Sequence, residues 1–180
     1  MVYCFLADGF EEIEAIAPID ILRRADIFVT TVGVTGKTVA GRHGIDVIAD
    51  VEAECLDGCD NIEAIILPGG LPGATNLEAS DKVQQIIDKA NNNGALICAI
   101  CAAPQILGHK GLLEGKCAIA YPGFEKELRG AKISDEHVVT DGNFITAKGA
   151  GVALDFGLAI VSALKGVELS DSIRESIQMK

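Results

Sequence analysis

Two cysteines three residues apart, Cys98 and Cys101, lie in the stretch GALICAICAAPQILGHKG (94–111), where an apolar run passes into a helix-like one. Three chemistries fit such a pair: a redox dithiol, half of a metal site, or one nucleophilic thiol at a strand-to-helix turn with a bystander behind it. If the strand ends at Ile100, the chain must turn sharply at Cys101. Ala102 and Ala103 leave that turn uncrowded, and Pro104 fixes φ early in the helix. Free N–H groups and the dipole at a helix start favour a thiolate, so the Cys101 pKa is expected to fall well below the free value of about 8.5. Cys98, inside the strand, is expected to be packed among apolar side chains and inert. In a thioredoxin-type pair the first cysteine starts the helix, whereas here the turn follows the second, which weighs against a disulfide role.

A nucleophile needs partners. Gly69-Gly70 after the apolar run AIIL (64–67) offers a backbone N–H that, with the N–H of Ala102, would make a two-donor oxyanion hole. In DGFEEIE (8–14), Glu11 and Glu14 stand at i, i+3 of a helix, so one carboxylate is positioned to turn inward while Glu11 or Glu12 stays solvated. A buried glutamate has a raised pKa and exchanges protons near neutrality. Cys55 and Cys59 could donate two metal ligands, but His43, His109 and His137 are scattered without metal-ligand spacing, so no metal is expected.

Strand-like and helix-like segments alternate along the chain to place these groups. Residues 2–7, 27–34, 64–70 and 95–100 read as buried parallel strands. Residues 11–26 read as a helix that Pro18 should kink or reset, and 80–94 as a helix capped by Ser80 and stopped by Gly94. Residues 38–51 read as a hairpin or edge excursion. After the elbow helix come CAIAYP (117–122), a turn at Asp141-Gly-Asn143 within HVVTDGNFITA, and a long apolar helix over 152–166. The pattern predicts an open, mostly parallel sheet covered on both faces, with its ligand at the carboxyl ends of the strands.

The 180 residues suffice for one domain that buries about 70% of its unfolded surface without a disulfide or metal staple. The net charge of −11 repels phosphate backbones and anionic lipid, so no nucleic-acid or membrane partner is expected and a small diffusible ligand fits better. No apolar run approaches the roughly 20 residues of a membrane span, and the first residues lack a positive leader, so the expected location is cytoplasmic.

Four stretches, LADGFEEIEAIAPIDILRRA (6–25), IILPGGLPGATNL (65–77), AICAAP (99–104) and ITAKGAGVALDFGLAIVSAL (145–164), resemble in order and spacing the ThiJ/PfpI superfamily, in the branch of the parkinsonism-associated protein. The resemblance implies a single domain over 1–180, of the class I glutamine amidotransferase-like kind, with a flavodoxin-like α/β sandwich fold and a homodimeric assembly. It also implies that Cys101 is the reactive residue, Glu14 the inward carboxyl bonded to it, and Gly70 and Ala102 the oxyanion donors. Two departures stand out. Ala102 replaces the histidine that follows the nucleophile in protease-like branches, and Tyr121 stands where many nearer members carry a histidine. Tyrosine is a poor base at neutral pH, so proton transfer falls to Glu14. Gly69, Tyr121, His43 beside Arg42, and Lys148 in the loop before Gly149 are pocket or rim candidates; His109 is expected on a helix surface.

The activity this implies is a cofactor-independent glyoxalase or deglycase acting on methylglyoxal, glyoxal or their early adducts, with aldehyde turnover ahead of adduct repair. The alternative is a redox-responsive stress or chaperone-like protein whose Cys101 becomes a sulfinate. A small-amide or peptide hydrolase is the third reading.

Overall fold

A computed structural model of the protein describes residues 1–56 and 61–179. The chain runs β1 (Val2–Leu6), α1 (Glu12–Arg24), β2 (Val29–Gly33), β3 (Thr38–Ala40), β4 (Asp46–Ile48), β5 (Val51–Glu52), β6 (Ala64–Leu67), α2 (Gly73–Ala79), α3 (Asp81–Asn92) and β7 (Leu96–Ile100). It continues through α4 (Pro104–His109), β8 (Cys117–Ala118), β9 (Lys132–Ile133), β10 (Val138–Asp141), β11 (Phe144–Ala147), α5 (Ala153–Lys165) and α6 (Val167–Ser176). Seven strands form the main sheet in the order β10-β11-β7-β6-β1-β2-β5, parallel throughout except for the β10–β11 hairpin. This is a flavodoxin-like sandwich, as expected.

Strand alternation sorts the core into two faces. Tyr3, Phe5, Ile65, Leu67, Ile97 and Ala99 join Val83, Ile86 and Ile87 of α3 and Ile106 and Leu107 of α4 in one buried cluster. Cys4, Leu6, Ile66, Cys98 and Ile100 join Ile21 and Leu22 of α1 and Phe156, Ile160 and Val161 of α5 in the other. Each fully buried large side chain here stabilises the fold by about 1.5–3 kcal/mol. β1 lies between β2 on one side and β6 on the other, so the chain reverses its direction of travel across the sheet beside β1. A crevice at the carboxyl ends of β1 and β6 follows, the usual ligand site of such sheets.

Several expectations are adjusted. α1 passes through Pro18 as one helix, because it lies along α5 and that packing outweighs the lost hydrogen bond. The 38–51 segment splits into the β3–β4 hairpin and a separate strand, β5, that joins the main sheet. Residues 117–118 pair with β9 in a small separate sheet. Ser80 caps α3 as expected, its hydroxyl accepting the Val83 N–H at 3.3 Å. Gly166 ends α5 at φ 98°, and α6 follows directly. No helix of the described residues is long and apolar enough to cross a membrane.

Candidate active site

Cys101 follows β7 directly and carries φ 64°, a left-handed conformation that is uncommon for a residue with a Cβ. Its neighbours fix it there. The Cys101 N–H donates to the Ala147 carbonyl at 2.9 Å, tying it to the end of β11, and its carbonyl accepts the Tyr121 N–H at 2.8 Å. Ala103 is already helical and Pro104 occupies the first turn of α4. The elbow predicted from AICAAP is therefore present, with the thiol half-buried at its apex.

Glu14 reaches the thiol from the first turn of α1 and is 1% exposed. Its Oε2 accepts the Gly69 N–H at 3.0 Å, and its carboxyl is a hydrogen-bond partner of the Cys101 thiol. Gly69 is required by crowding. A Cβ there would fall 2.5 Å from Glu14 Oε2 and 2.6 Å from the Cys101 Cβ. Gly70, at φ 86°, turns its N–H toward the sulfur, and the Ala102 N–H does the same from the elbow. The two donors expected for an oxyanion thus converge on the thiol.

Burial pushes the Glu14 carboxyl up to about 7; the bonds from Cys101 and Gly69 oppose it, and the nearby Glu11 charge adds to it. The expected fall in the Cys101 pKa does not occur. Burial first, then the Glu14 carboxylate, push the thiol up to about 12, against the opposing pull of the Gly70 and Ala102 N–H groups. α4 is only six residues long, so its dipole is too small to reverse this. The thiol and the carboxyl form one coupled unit.

Cys98 is fully buried, with its thiol pushed far up by burial alone, as an inert strand residue should be. Cys98 and Cys101 are both free thiols. Cys55 is exposed, while Cys59 lies outside the described residues.

The groups open into a cavity of about 440 Å³ whose walls include Glu11, Arg42, His43, Leu71, Tyr121 and Phe124. His43 and Tyr121 line this cavity. Lys148 lines a second depression of about 430 Å³, with His137 and Gly149, on the far side of Tyr121.

Of the two carboxylates expected to stay solvated, Glu11 remains partly exposed, but Glu12 does not. Glu12 is 6% exposed and its Oε1 accepts the N–H of His43 at 2.7 Å and of Ile45 at 3.4 Å, closing the tip of the β3–β4 hairpin over α1. Its Oε2 lies 3.0 Å from His43 Nδ1, and Glu11 Oε1 lies 3.4 Å from the same atom. Burial works against the Glu12 charge, but these bonds together hold its carboxyl below the usual range. One ligand atom from each of Glu11, Glu12 and His43 falls within 4.8 Å of the others, a donor set capable of holding a cation. Sequence spacing does not reveal this, because His43 comes to α1 across the hairpin.

The DJ-1/PfpI family profile matches residues 1–163. The chain is 34% identical to the Parkinson disease protein 7 homolog of Danio rerio, over 97% of this chain and 95% of that protein. It is 32% identical to the glutathione-independent glyoxalase DJR-1.2 of Caenorhabditis elegans, over 91% of this chain and 87% of that one. The structure of oxidized Toxoplasma gondii DJ-1 superposes with a TM-score of 0.94 at 31% identity, covering 98% of this chain and 97% of that chain.

Proposed function

This chain belongs to the DJ-1/PfpI family, and we propose that it is a cofactor-independent glyoxalase, turning over methylglyoxal, glyoxal or their early adducts with Cys101 as nucleophile and Glu14 as proton shuttle. The observation that carries this reading is the Glu14 carboxyl, buried against both the Gly69 N–H and the Cys101 thiol and pushed up to about 7. A carboxyl with that value both takes and returns a proton at neutral pH.

The reaction runs through these groups alone. Glu14 carboxylate takes the Cys101 proton as the sulfur forms a bond to the aldehyde carbon. The aldehyde oxygen, gaining the electron pair of its π bond, is held by the Gly70 and Ala102 N–H groups and takes the proton from Glu14, giving a hemithioacetal and restoring the carboxylate. Glu14 carboxylate then removes the proton from the former aldehyde carbon and passes it to the neighbouring carbonyl oxygen, whose π bond opens to give an enediol. The same carboxylate next takes the hydroxyl proton of the sulfur-bearing carbon and delivers it to the neighbouring carbon as the thioester C=O forms. The product is a 2-hydroxy acid thioester. Water cleaves it, restoring the thiol and releasing lactate from methylglyoxal. Tyr121 and His43 would shape the pocket mouth, and Arg42 would favour a substrate oxygen there.

The test is lactate formation from methylglyoxal without glutathione, comparing the wild type with Cys101→Ala and Glu14→Gln. The proposal expects turnover abolished by the first and reduced about 10²–10⁴-fold by the second. Turnover no higher than in buffer contradicts it. A homodimer is proposed alongside, because Ile13, Ile16, Ile45 and Ile48 are 55%, 43%, 60% and 73% exposed and gather on α1 and the β3–β4 hairpin. Sedimentation of an Ile16→Asp variant as a monomer, with the wild type a dimer, is the expected result.

A second reading follows from the same donors. Gly70 and Ala102 N–H groups and a protonated Glu14 would equally hold the oxygens of a Cys101 sulfinate, making the site a peroxide sensor with a partner or chaperone readout. Mass spectrometry after peroxide treatment, with lactate assays on the same samples, separates the two. Peptide or amide hydrolysis is the least supported, since Ala102 leaves the thiol without an adjacent imidazole.

A further inference from the structure

His109 was expected on a helix surface, and its actual position is more informative. It ends α4, eight residues after Cys101. Its Nε2 lies 3.0 Å from Glu127 Oε2, and its Nδ1 faces Glu78 Oε1. All three side chains are about a third exposed or less (27%, 31% and 30%). Glu78 lies near the end of α2, whose approach carries Gly70 and Leu71. Glu127 ends the short 3-10 turn Glu125–Glu127, which follows Tyr121 and Phe124. The three partners therefore stand at the far ends of three segments whose near ends form walls of the Cys101 cavity.

We propose that His109 is a positioning residue for that cavity: an imidazolium clasped between Glu78 and Glu127 outside the pocket holds its three walls in register. The chemistry of the ring requires the charge. A neutral imidazole has one N–H and one lone pair, so one of its nitrogens would face a carboxylate without a proton between them, whereas the imidazolium donates to both. The surroundings agree: the Glu127 bond first, then the Glu78 bond, raise the His109 pKa above its ordinary value, while burial and the Arg129 charge oppose this. Lys126 Nζ shares Glu127 at 3.7 Å, and the Gln84 amide donates to the Glu78 carbonyl at 2.9 Å. Lys110, the next residue, is tied separately to Asp88 at 2.8 Å.

The sign is set by the raised folded value. The clasp is complete below the ordinary histidine pKa and is lost as pH rises through the folded one. Its loss loosens the walls and lets water reach a thiol whose pKa is raised chiefly by burial, so Cys101 becomes more reactive.

The experiment is the rate of Cys101 alkylation by iodoacetamide across pH in wild type, His109→Gln and Glu78→Gln/Glu127→Gln, with Lys110→Ala as a control for destabilising α4. It reads the thiol and needs no turnover, so it stands or falls apart from the glyoxalase reading. The expected result is alkylation about three- to tenfold faster in both clasp variants than in wild type at pH 6. The ratio should shrink toward one at high pH, where the wild-type imidazole is itself neutral. Lys110→Ala should stay near the wild type, and His109→Arg, which keeps the charge, should restore slow alkylation and abolish the pH step. An imidazole titration of His109 by NMR in the unmodified protein accompanies it and survives any variant that fails to fold. A ratio that is flat with pH, clasp variants that behave like Lys110→Ala, or a His109 pKa at or below about 6.5 overturns the proposal.

Discussion

Glu12 and Glu14 stand two residues apart on the first turns of one helix, and both are nearly sealed from solvent (6% and 1% exposed). They are nonetheless tuned in opposite directions. Glu12 faces the hairpin, where the His43 and Ile45 N–H groups, its own N–H and the His43 ring hold it ionised. Glu14 faces the elbow, where burial outweighs its bonds to Cys101, Gly69 and Ala150 and brings the carboxyl to about 7. Burial alone does not set the charge of a carboxyl. The number of donors aimed at it, weighed against lost hydration, does. One glutamate is held ionised as a structural strut, and its neighbour is left with a carboxyl near 7, the value the proposed proton carrier needs.

The largest effect that would sharpen this contrast is catalytic. Under the proposed mechanism Glu14→Gln lowers lactate formation by about 10²–10⁴-fold, whereas Glu12→Gln, which keeps an acceptor for the hairpin N–H groups, costs less than about tenfold. Equal losses in kcat would erase the distinction between strut and carrier. Next in size is stability. Glu12→Ala leaves the His43 and Ile45 N–H groups without an acceptor and should destabilise the fold by about 2–3 kcal/mol, read as a shift in the urea midpoint.

The two carboxyls should also bend stability against pH in opposite senses. The raised Glu14 pKa makes its contribution fully present below its unfolded value, near 4.5, and lost as pH climbs through about 7. The Glu14→Gln variant should therefore gain on the order of 5 °C in Tm over wild type at pH 8 and nothing below pH 4.5. The lowered Glu12 pKa gives stability that is present above its unfolded value and lost as pH falls through the folded one. Glu12→Gln should accordingly lose ground to wild type only above that window. Smallest is His43→Gln. The ring is 63% exposed, and its removal should change Tm by no more than about 2 °C, since exposed pairs contribute little.

Much of this was legible in the chain. Apolar β-branched runs marked β1, β2, β6 and β7, and the Ala-Ala-Pro after Cys101 marked the elbow, because short local patterns determine such turns. Glu14 was harder: its spacing from Glu11 allowed an inward carboxyl, but only the resemblance singled it out. The fate of Glu12 was not legible, since its partners His43 and Ile45 lie about thirty residues on and approach through a hairpin. The Cys101 pKa was misjudged for a related reason. A helix start is visible in sequence, whereas the burial and the carboxylate that oppose it are not. The surroundings of His109 were not legible either, because Glu78 and Glu127 reach it from two other segments.

The most direct test of the central claim is an infrared pH titration of the Glu14 carboxyl, with its C=O stretch identified by its loss in Glu14→Gln. A buried proton carrier paired with Cys101 predicts a midpoint near 7 that shifts in Cys101→Ala. A midpoint in the ordinary carboxylate range, unmoved by removal of the thiol, would contradict the account.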